Sequence, residues 1–177
     1  MGRQPIARGV SPWNAALMVK APDGATELGG KEFELLVPEP IHQQILALYK
    51  EVDREVAAAG PVCIASGRCC RFKEYGHVLF LSNLEASVLL KDAHAYETPV
   101  TADFCTFQRD NLCTAREPRP LGCRVYYCDP TYQTRAGEIT EKYLARMKSL
   151  AEQSGIDWRY APLHKFLNNP QDAELSS

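Results

Sequence analysis

The sequence predicts a small, mainly helical α+β domain with a short β-hairpin and cysteine-bearing loops. Residues 40–59 and 138–154 repeat apolar side chains at the spacing of an amphipathic helix. Between them, residues 104–114 have the pattern of two short strands joined by a tight turn. All seven cysteines lie between Cys63 and Cys128, both included, which indicates one functional unit within a single domain.

Length and composition are those of one globular domain. The 177 residues can enclose a hydrophobic core, and apolar residues make up 45% of them.

The 20 basic and 22 acidic side chains nearly balance, so we expect no general attraction to nucleic acid or anionic membranes. No apolar run approaches the roughly 20 residues of a membrane span, and residues 1–10 lack the apolar core of a signal peptide. We therefore predict a cytoplasmic protein without a membrane or nucleic-acid partner, and leave a protein partner open.

The chain divides into three predicted segments. Residues 1–38 carry turn signals such as Pro22-Asp23-Gly24 and no sustained period, which predicts an irregular N-terminal arm. Residues 39–170 predict a cysteine-cluster metal-binding domain. Residues 171–177 are short and mostly polar, which predicts a flexible tail.

The first helix is predicted over residues 40–59. Pro40 suits the first helical turn, and Gly60-Pro61 is a typical stop signal. One face of this helix is apolar and predicts packing against the core. The residues of that face are Ile41, Ile45, Leu48, Val52 and Val56.

A strand and a second helix are predicted next. Residues 77–81 form a short apolar run that indicates a buried strand. Ser82 and Glu85 have the spacing of a capping box, so a helix is expected to begin there and to end near Asp92.

The hairpin turn is predicted at Arg109-Asp110-Asn111, where Cys105 and Cys113 could come side by side across the turn. Residues 117–122 contain two prolines and predict a rigid loop. The last long helix is expected to end at Gly155. Only a short or broken helix is compatible with Pro162 in the aromatic-rich segment 156–167.

The clustered cysteines predict a metal site. Thiolates are soft ligands that favour zinc, copper(I) and iron–sulfur clusters, whereas disulfides are rare in a reducing compartment. The spacing matches neither a zinc finger nor a ferredoxin, so zinc and an iron–sulfur cluster both stay open, with disulfides and redox-active thiols as alternatives. The candidate ligands are Cys63, Cys69, Cys70, Cys105, Cys113, Cys123 and Cys128.

Two details of the cluster affect the ligand count. Side chains of adjacent residues such as Cys69 and Cys70 diverge in extended backbone, so these two could serve different sites. His77 is a candidate eighth ligand, although a buried histidine bonded to backbone is the interpretation we favour.

Arginines accompany the cysteines and could offset the negative charge of several thiolates. The rival interpretation is contact with nucleic acid, with Tyr126, Tyr127 and Tyr132 as stacking surfaces. A third interpretation is that they are ordinary surface arginines without a specific role. The residues concerned are Arg68, Arg71, Arg116, Arg119 and Arg124.

The cysteine pattern resembles that of the YkgJ-like cysteine-cluster family, described as a zinc- or iron-chelating domain. Residues 63–72 are similar to the family opening Cys-x2-Cys-Gly-x-Cys-Cys, except that Ser66 stands at its second cysteine. The similarity extends over roughly residues 60–130. The later matching positions are Leu81-Ser82, Glu85, Cys105, Cys113, Arg119-Pro120, Cys123-Arg124 and Cys128.

This resemblance implies a metal-binding domain and leaves its biochemical role open. A similar domain occurs in flagellin lysine methylases, which look to depend on an iron–sulfur cluster. Three functions are therefore carried forward: a structural or electron-carrying metal site, an iron–sulfur-dependent protein-modifying enzyme of methyltransferase type, and a zinc-stabilised interaction module. No catalytic residue is assigned. Ser66 implies a site that is either altered or open at that position.

Overall fold

The computed structural model describes residues 38–173, so nearly all of the predicted N-terminal arm and residues 174–177 lie outside it. The described part is mainly helical with two small antiparallel sheets, which confirms the predicted fold class. The helices are α1 Glu39–Ala59, α2 Phe72–Tyr75, α3 Asn83–Asp92, α4 Leu121–Val125, α5 Gln133–Gln153 and α6 Leu163–Asn168. The strands are β1 Phe80–Ser82, β2 Gln108–Arg109, β3 Leu112–Cys113 and β4 Tyr160–Pro162.

Helix α1 follows the prediction closely. Proline occupies its first turn, and the predicted apolar face is buried. At the other end Gly60 adopts a left-handed conformation with φ 68°, and its N–H donates to the Val56 carbonyl oxygen. A glycine is suited to this cap because a side chain there would be strained.

Helix α5 begins at Gln133, five residues before the predicted start. Its first turn is polar and exposed, so it carries no apolar period that sequence reasoning could detect. A 3-10 turn over Pro130–Tyr132 leads into it, and the Asp129 side chain accepts the Thr131 N–H at the start of that turn. The buried face of α5 consists of Ile139, Tyr143, Met147 and Ala151.

Two hydrophobic cores meet at helix α3. The first core packs α1, α4 and α5 together, and Leu84 and Val88 of α3 belong to it. The second contains Leu89 and Leu90 from the opposite side of α3, together with α6 and the cysteine-bearing segments. Because both sides are covered, eight of the ten α3 residues are buried.

The predicted capping box is present at the start of α3. The Ser82 Oγ accepts the Glu85 N–H at 3.3 Å, and the Glu85 Oε2 accepts the Ser82 N–H at 2.9 Å. The other carboxylate oxygen of Glu85 accepts the Leu121 N–H at 2.7 Å, which ties α3 to the start of α4. Burial raises the pKa of the Glu85 carboxyl.

Both sheets are small. Strand β1 pairs antiparallel with β4, and only its first two residues fall in the predicted strand 77–81. The hairpin β2–β3 turns at Asp110 and Asn111, which have φ 49° and 64° as a type I′ turn requires. It is shorter than predicted, and its register pairs Cys113 with Gln108 rather than with Cys105.

Two predicted boundaries near prolines differ from the structure. Residues 117–120 are irregular as predicted, but the last two residues of the expected loop 117–122 already belong to helix α4. Pro120 caps this helix, a position where its missing N–H costs nothing. At the other end of the domain, Pro170–Ala173 forms a 3-10 turn with Ala173 fully buried, so the fold continues beyond residue 171. No helix within residues 38–173 is long and apolar enough to cross a membrane.

The contacts of Glu85 predict a stability effect. Glu85→Ala would leave the buried N–H groups of Ser82 and Leu121 without their acceptor, and each such loss costs about 1–3 kcal/mol. We expect urea denaturation to show a free energy of unfolding lower by about 2–4 kcal/mol. Glu152→Ala, at an exposed position on α5, is the matched control and should change stability by less than about 0.5 kcal/mol. Equal effects of the two substitutions would contradict the role given to Glu85.

Candidate metal centre

Five of the seven cysteines line one small cavity of about 40 Å³. They come from four places in the chain: the 3-10 turn Arg68–Cys70, the loop before β2, strand β3 and helix α4. The remaining wall is mostly apolar, with Arg119 as its only charged residue within the described part of the chain. The cavity-lining cysteines are Cys69, Cys70, Cys105, Cys113 and Cys123.

The turn that carries Cys69 and Cys70 rests directly on the hairpin. Gly67 precedes the turn with φ 70°, and its carbonyl oxygen accepts the Gln108 Nε2–H at 2.9 Å. A Cβ at this position would collide with the Gln108 amide group, so both the backbone conformation and the close approach require glycine.

Backbone contacts hold the other cysteines in place. The Cys105 N–H donates to the Cys70 carbonyl oxygen at 2.7 Å, which joins the loop before β2 to the cysteine turn. Cys123 lies in the first turns of α4, and its N–H donates to the Pro120 carbonyl oxygen at 3.0 Å. Gly122 brings α4 close to Leu79, because a Cβ there would lie 2.8 Å from the Leu79 Cδ1 atom.

The sulfurs of Cys69 and Cys70 lie 3.8 Å apart. They converge because the backbone forms a 3-10 turn, whereas the sequence analysis considered extended backbone. Two thiolates on one tetrahedral zinc ion, with Zn–S bonds of about 2.3 Å, are also separated by about 3.8 Å. Yet no three His, Cys, Asp or Glu side chains of residues 38–173 form a group that could already hold a metal ion. The thiols therefore share a cavity without forming a closed set of ligands.

Burial and mutual contact raise the pKa values of four of the cavity thiols, which favours their protonated form. A hydrogen bond with Cys105 raises the pKa of Cys70 to about 12, and a hydrogen bond with Cys70 raises that of Cys69. Burial raises the pKa values of Cys113 and Cys123. A bound cation would reverse this preference, because a coordinating thiol loses its proton.

Cys63 and Cys128 do not line the cavity. Cys63 is exposed. Cys128 is partly buried, and its Sγ lies 3.8 Å from the Ser66 Oγ. The seven predicted ligands therefore separate into five cysteines that line the cavity and two that lie outside it. Ser66 lies beside Cys128, one of the two outside.

His77 also lies outside the cavity. Its ring packs edge-on against Phe72 and is stacked with Tyr126, at centroid distances of 5.4 and 5.2 Å. The Nε2 atom lies 3.5 Å from the Cys69 carbonyl oxygen. His77 is partly buried in aromatic contacts near the backbone, whereas a fully buried histidine bonded to backbone was expected.

Only one of the five highlighted arginines, Arg119, lines the cysteine cavity. Arg68 and Arg71 lie over the Tyr75 ring, with their Cζ atoms 5.0 and 5.4 Å from its centroid. Arg124 is buried, with an ion pair of 2.6 Å to Asp53. Arg119 therefore places its charge at the cavity wall, and the charges of both Arg119 and Arg116 act on the Cys113 thiol.

The tyrosines named as stacking surfaces for nucleic acid are occupied by protein contacts. Tyr126 stacks on His77, and Tyr127 packs edge-on against Tyr132 with 5.6 Å between centroids. Tyr132 is buried. These three rings do not form an exposed row on which successive bases could stack.

No family model matches the sequence, and comparisons with curated proteins and solved structures found no significant similarity. The resemblance to the YkgJ-like family therefore depends on the residue pattern alone.

The raised thiol pKa values predict that the metal-free, reduced protein loses stability at alkaline pH. In the unfolded chain these thiols ionise near their ordinary pKa of about 9, whereas in the fold Cys70 keeps its proton up to pH about 12. The unfolded state then binds fewer protons, so the free energy of unfolding falls as pH rises above about 9. Each such thiol contributes about 1.4 kcal/mol per pH unit.

Urea denaturation from pH 7 to 11 would measure this effect. Cys123→Ala removes one buried thiol and should lower the slope by about 1.4 kcal/mol per pH unit, whereas Cys63→Ala, at an exposed position, should leave it unchanged. Identical slopes for the wild type and Cys123→Ala would be inconsistent with a protonated thiol at position 123.

Proposed function

We propose that the protein binds a thiophilic metal in the cysteine cavity. The observation that supports this most is that five thiols from four chain segments line one small cavity. A single buried cysteine is ordinary core material, but five around one cavity form a donor set suited to soft metals. Four cysteines are enough to ligate either a zinc ion or an iron–sulfur cluster.

A single zinc ion is the occupant that agrees best with the cavity volume. A space of about 40 Å³ has room for roughly three water-sized atoms, at about 10–15 Å³ each. Zinc takes four ligands in structural sites and, when bound, supplies folding free energy. We therefore infer a structural zinc site with four ligands drawn from Cys69, Cys70, Cys105, Cys113 and Cys123.

An iron–sulfur cluster is the second candidate. The lining provides sulfur ligands without histidine or carboxylate, which is the usual donor set of such clusters. A four-iron cluster contains eight inorganic atoms, so the cavity would have to widen to admit it. The role would then be electron transfer, or cluster-dependent modification of a protein.

Free thiols are consistent with a reducing location. All seven cysteines are free, and a thiolate metal site is favoured where disulfides are rare. We propose the cytoplasm as the location for this reason.

Metal analysis of protein purified without oxygen tests the proposal. A zinc protein should be colourless with one zinc per chain, whereas a cluster protein should be brown with visible absorption. Oxygen must be excluded because zinc can replace iron at thiolate sites during aerobic preparation. Protein that contains neither metal after expression with zinc and iron supplied would contradict the proposal.

Single substitutions in the cavity should remove metal and stability together. Cys69→Ser and Cys123→Ser each replace a soft ligand with a poor one, and the loss of metal then weakens folding. We expect both variants to lose bound metal and at least about 3 kcal/mol of stability, a fraction of the roughly 10–16 kcal/mol that zinc contributes in small zinc peptides.

Cys63→Ser is the matched control, because Cys63 is exposed and does not line the cavity. It should keep the metal content and melting temperature of the wild type. If Cys63→Ser lost the metal while Cys123→Ser kept it, the proposed ligand set would be wrong.

A further inference from the structure

A second, larger cavity lies between the end of α1 and the segment that leads into α4. Its volume is about 400 Å³, within the range of about 300–1,000 Å³ typical of small-molecule sites. We call it the arginine cleft, because three guanidinium groups line it. They belong to Arg116, Arg119 and Arg124.

The arginine cleft has a net positive charge. Its three guanidinium groups face two carboxylates, those of Asp53 and Glu117, which leaves an excess of one positive charge. A ligand with one negative charge would complete the balance. Arginine is well suited to binding such a ligand, because its planar fork matches the two oxygens of a carboxylate or phosphate.

Not every arginine of the cleft is available to a ligand. All three nitrogens of the Arg124 guanidinium have partners within the protein: it pairs with Asp53 at 2.6 Å and donates to the carbonyl oxygens of Arg119 and Glu117. Asp53 pairs with Arg124 through its Oδ2 atom, and its Oδ1 atom faces Arg119.

Arg119 has unused hydrogen-bonding capacity. Its nearest contact with Asp53 is 3.9 Å, longer than a hydrogen bond. Its Nε atom is buried and has no partner within residues 38–173. The terminal Nη groups of Arg119 are not fully buried and make no hydrogen bond within residues 38–173, so they can donate to a ligand oxygen in the cleft.

Arg116 provides the second free cation. It is exposed at the cleft, and its side chain makes no hydrogen bond or ion pair within the described part of the chain. The remaining lining includes Val56, Pro61 and the partly buried Tyr127 ring, which offer an apolar surface for the body of a ligand.

We propose that the arginine cleft binds a small organic anion. Arg116 and Arg119 hold its single oxyanion group, a carboxylate or a phosphate, and its apolar body lies against Val56 and Tyr127. Arg119 lines both the arginine cleft and the cysteine cavity, so its side chain lies between the bound anion and the thiol cluster. The proposal stands independently of which metal the cysteines bind.

Titration of the purified full-length protein, followed by backbone amide NMR shifts, tests this site. The probes are benzoate and phenyl phosphate, which separate the two oxyanions, and benzamide, a neutral molecule of similar shape. We expect saturable shifts at Gly60 and Tyr127 with at least one anion, and much weaker binding of benzamide.

Two matched variants complete the experiment. Arg116→Gln removes one charge-assisted contact and should weaken anion binding about tenfold. Arg54→Gln makes the same charge change on α1 at a position that does not line the cleft, and should bind like the wild type. Equal weakening by both variants, binding of benzamide as tight as that of the anions, or no saturable binding of either anion would overturn the proposal.

Discussion

The buried carboxylate of Glu85 is the contact on which the arrangement of the domain depends most directly. It closes the capping box at the start of α3 and, with its other oxygen, accepts the first N–H of α4. Since α3 is covered on both sides by hydrophobic cores, fixing α4 to it also fixes Cys123 relative to the second core. The Glu85 carboxylate therefore fixes the starts of α3 and α4 and, through α4, the position of Cys123.

The cysteine cavity combines two opposing preferences of the thiol group. Without a cation, burial favours the neutral form of Cys113 and Cys123, and hydrogen bonds between thiols raise the pKa values of Cys69 and Cys70. With a cation, the same proximity becomes favourable because the negative charges converge on one positive centre. The mostly apolar walls strengthen both effects, because electrostatic interactions are stronger where the local dielectric constant is low. A proton and a metal ion would therefore compete for the same sulfurs.

Sequence reasoning was accurate where local signals are strong and failed where long-range contacts decide the structure. The apolar period of α1, the Ser82–Glu85 capping box and the Asp110-Asn111 turn were all readable from neighbouring residues. Helix α4 is only five residues long and has no clear local pattern, and the bounds of β1 are set by its pairing with a strand far away in the chain. Spacing also could not separate the five cavity cysteines from Cys63 and Cys128, because that separation arises from tertiary packing.

The position of α4 between the two hydrophobic cores has a consequence for how the domain unfolds. Leu121 and Val125 of this helix belong to the first core, whereas Cys123 packs against the second. The four other cavity cysteines come from segments that contact one another directly through the hairpin and its neighbouring loops. An ion shared between Cys123 and those segments would join the two cores into a single cooperative unit, so that neither could open while the ion stays bound.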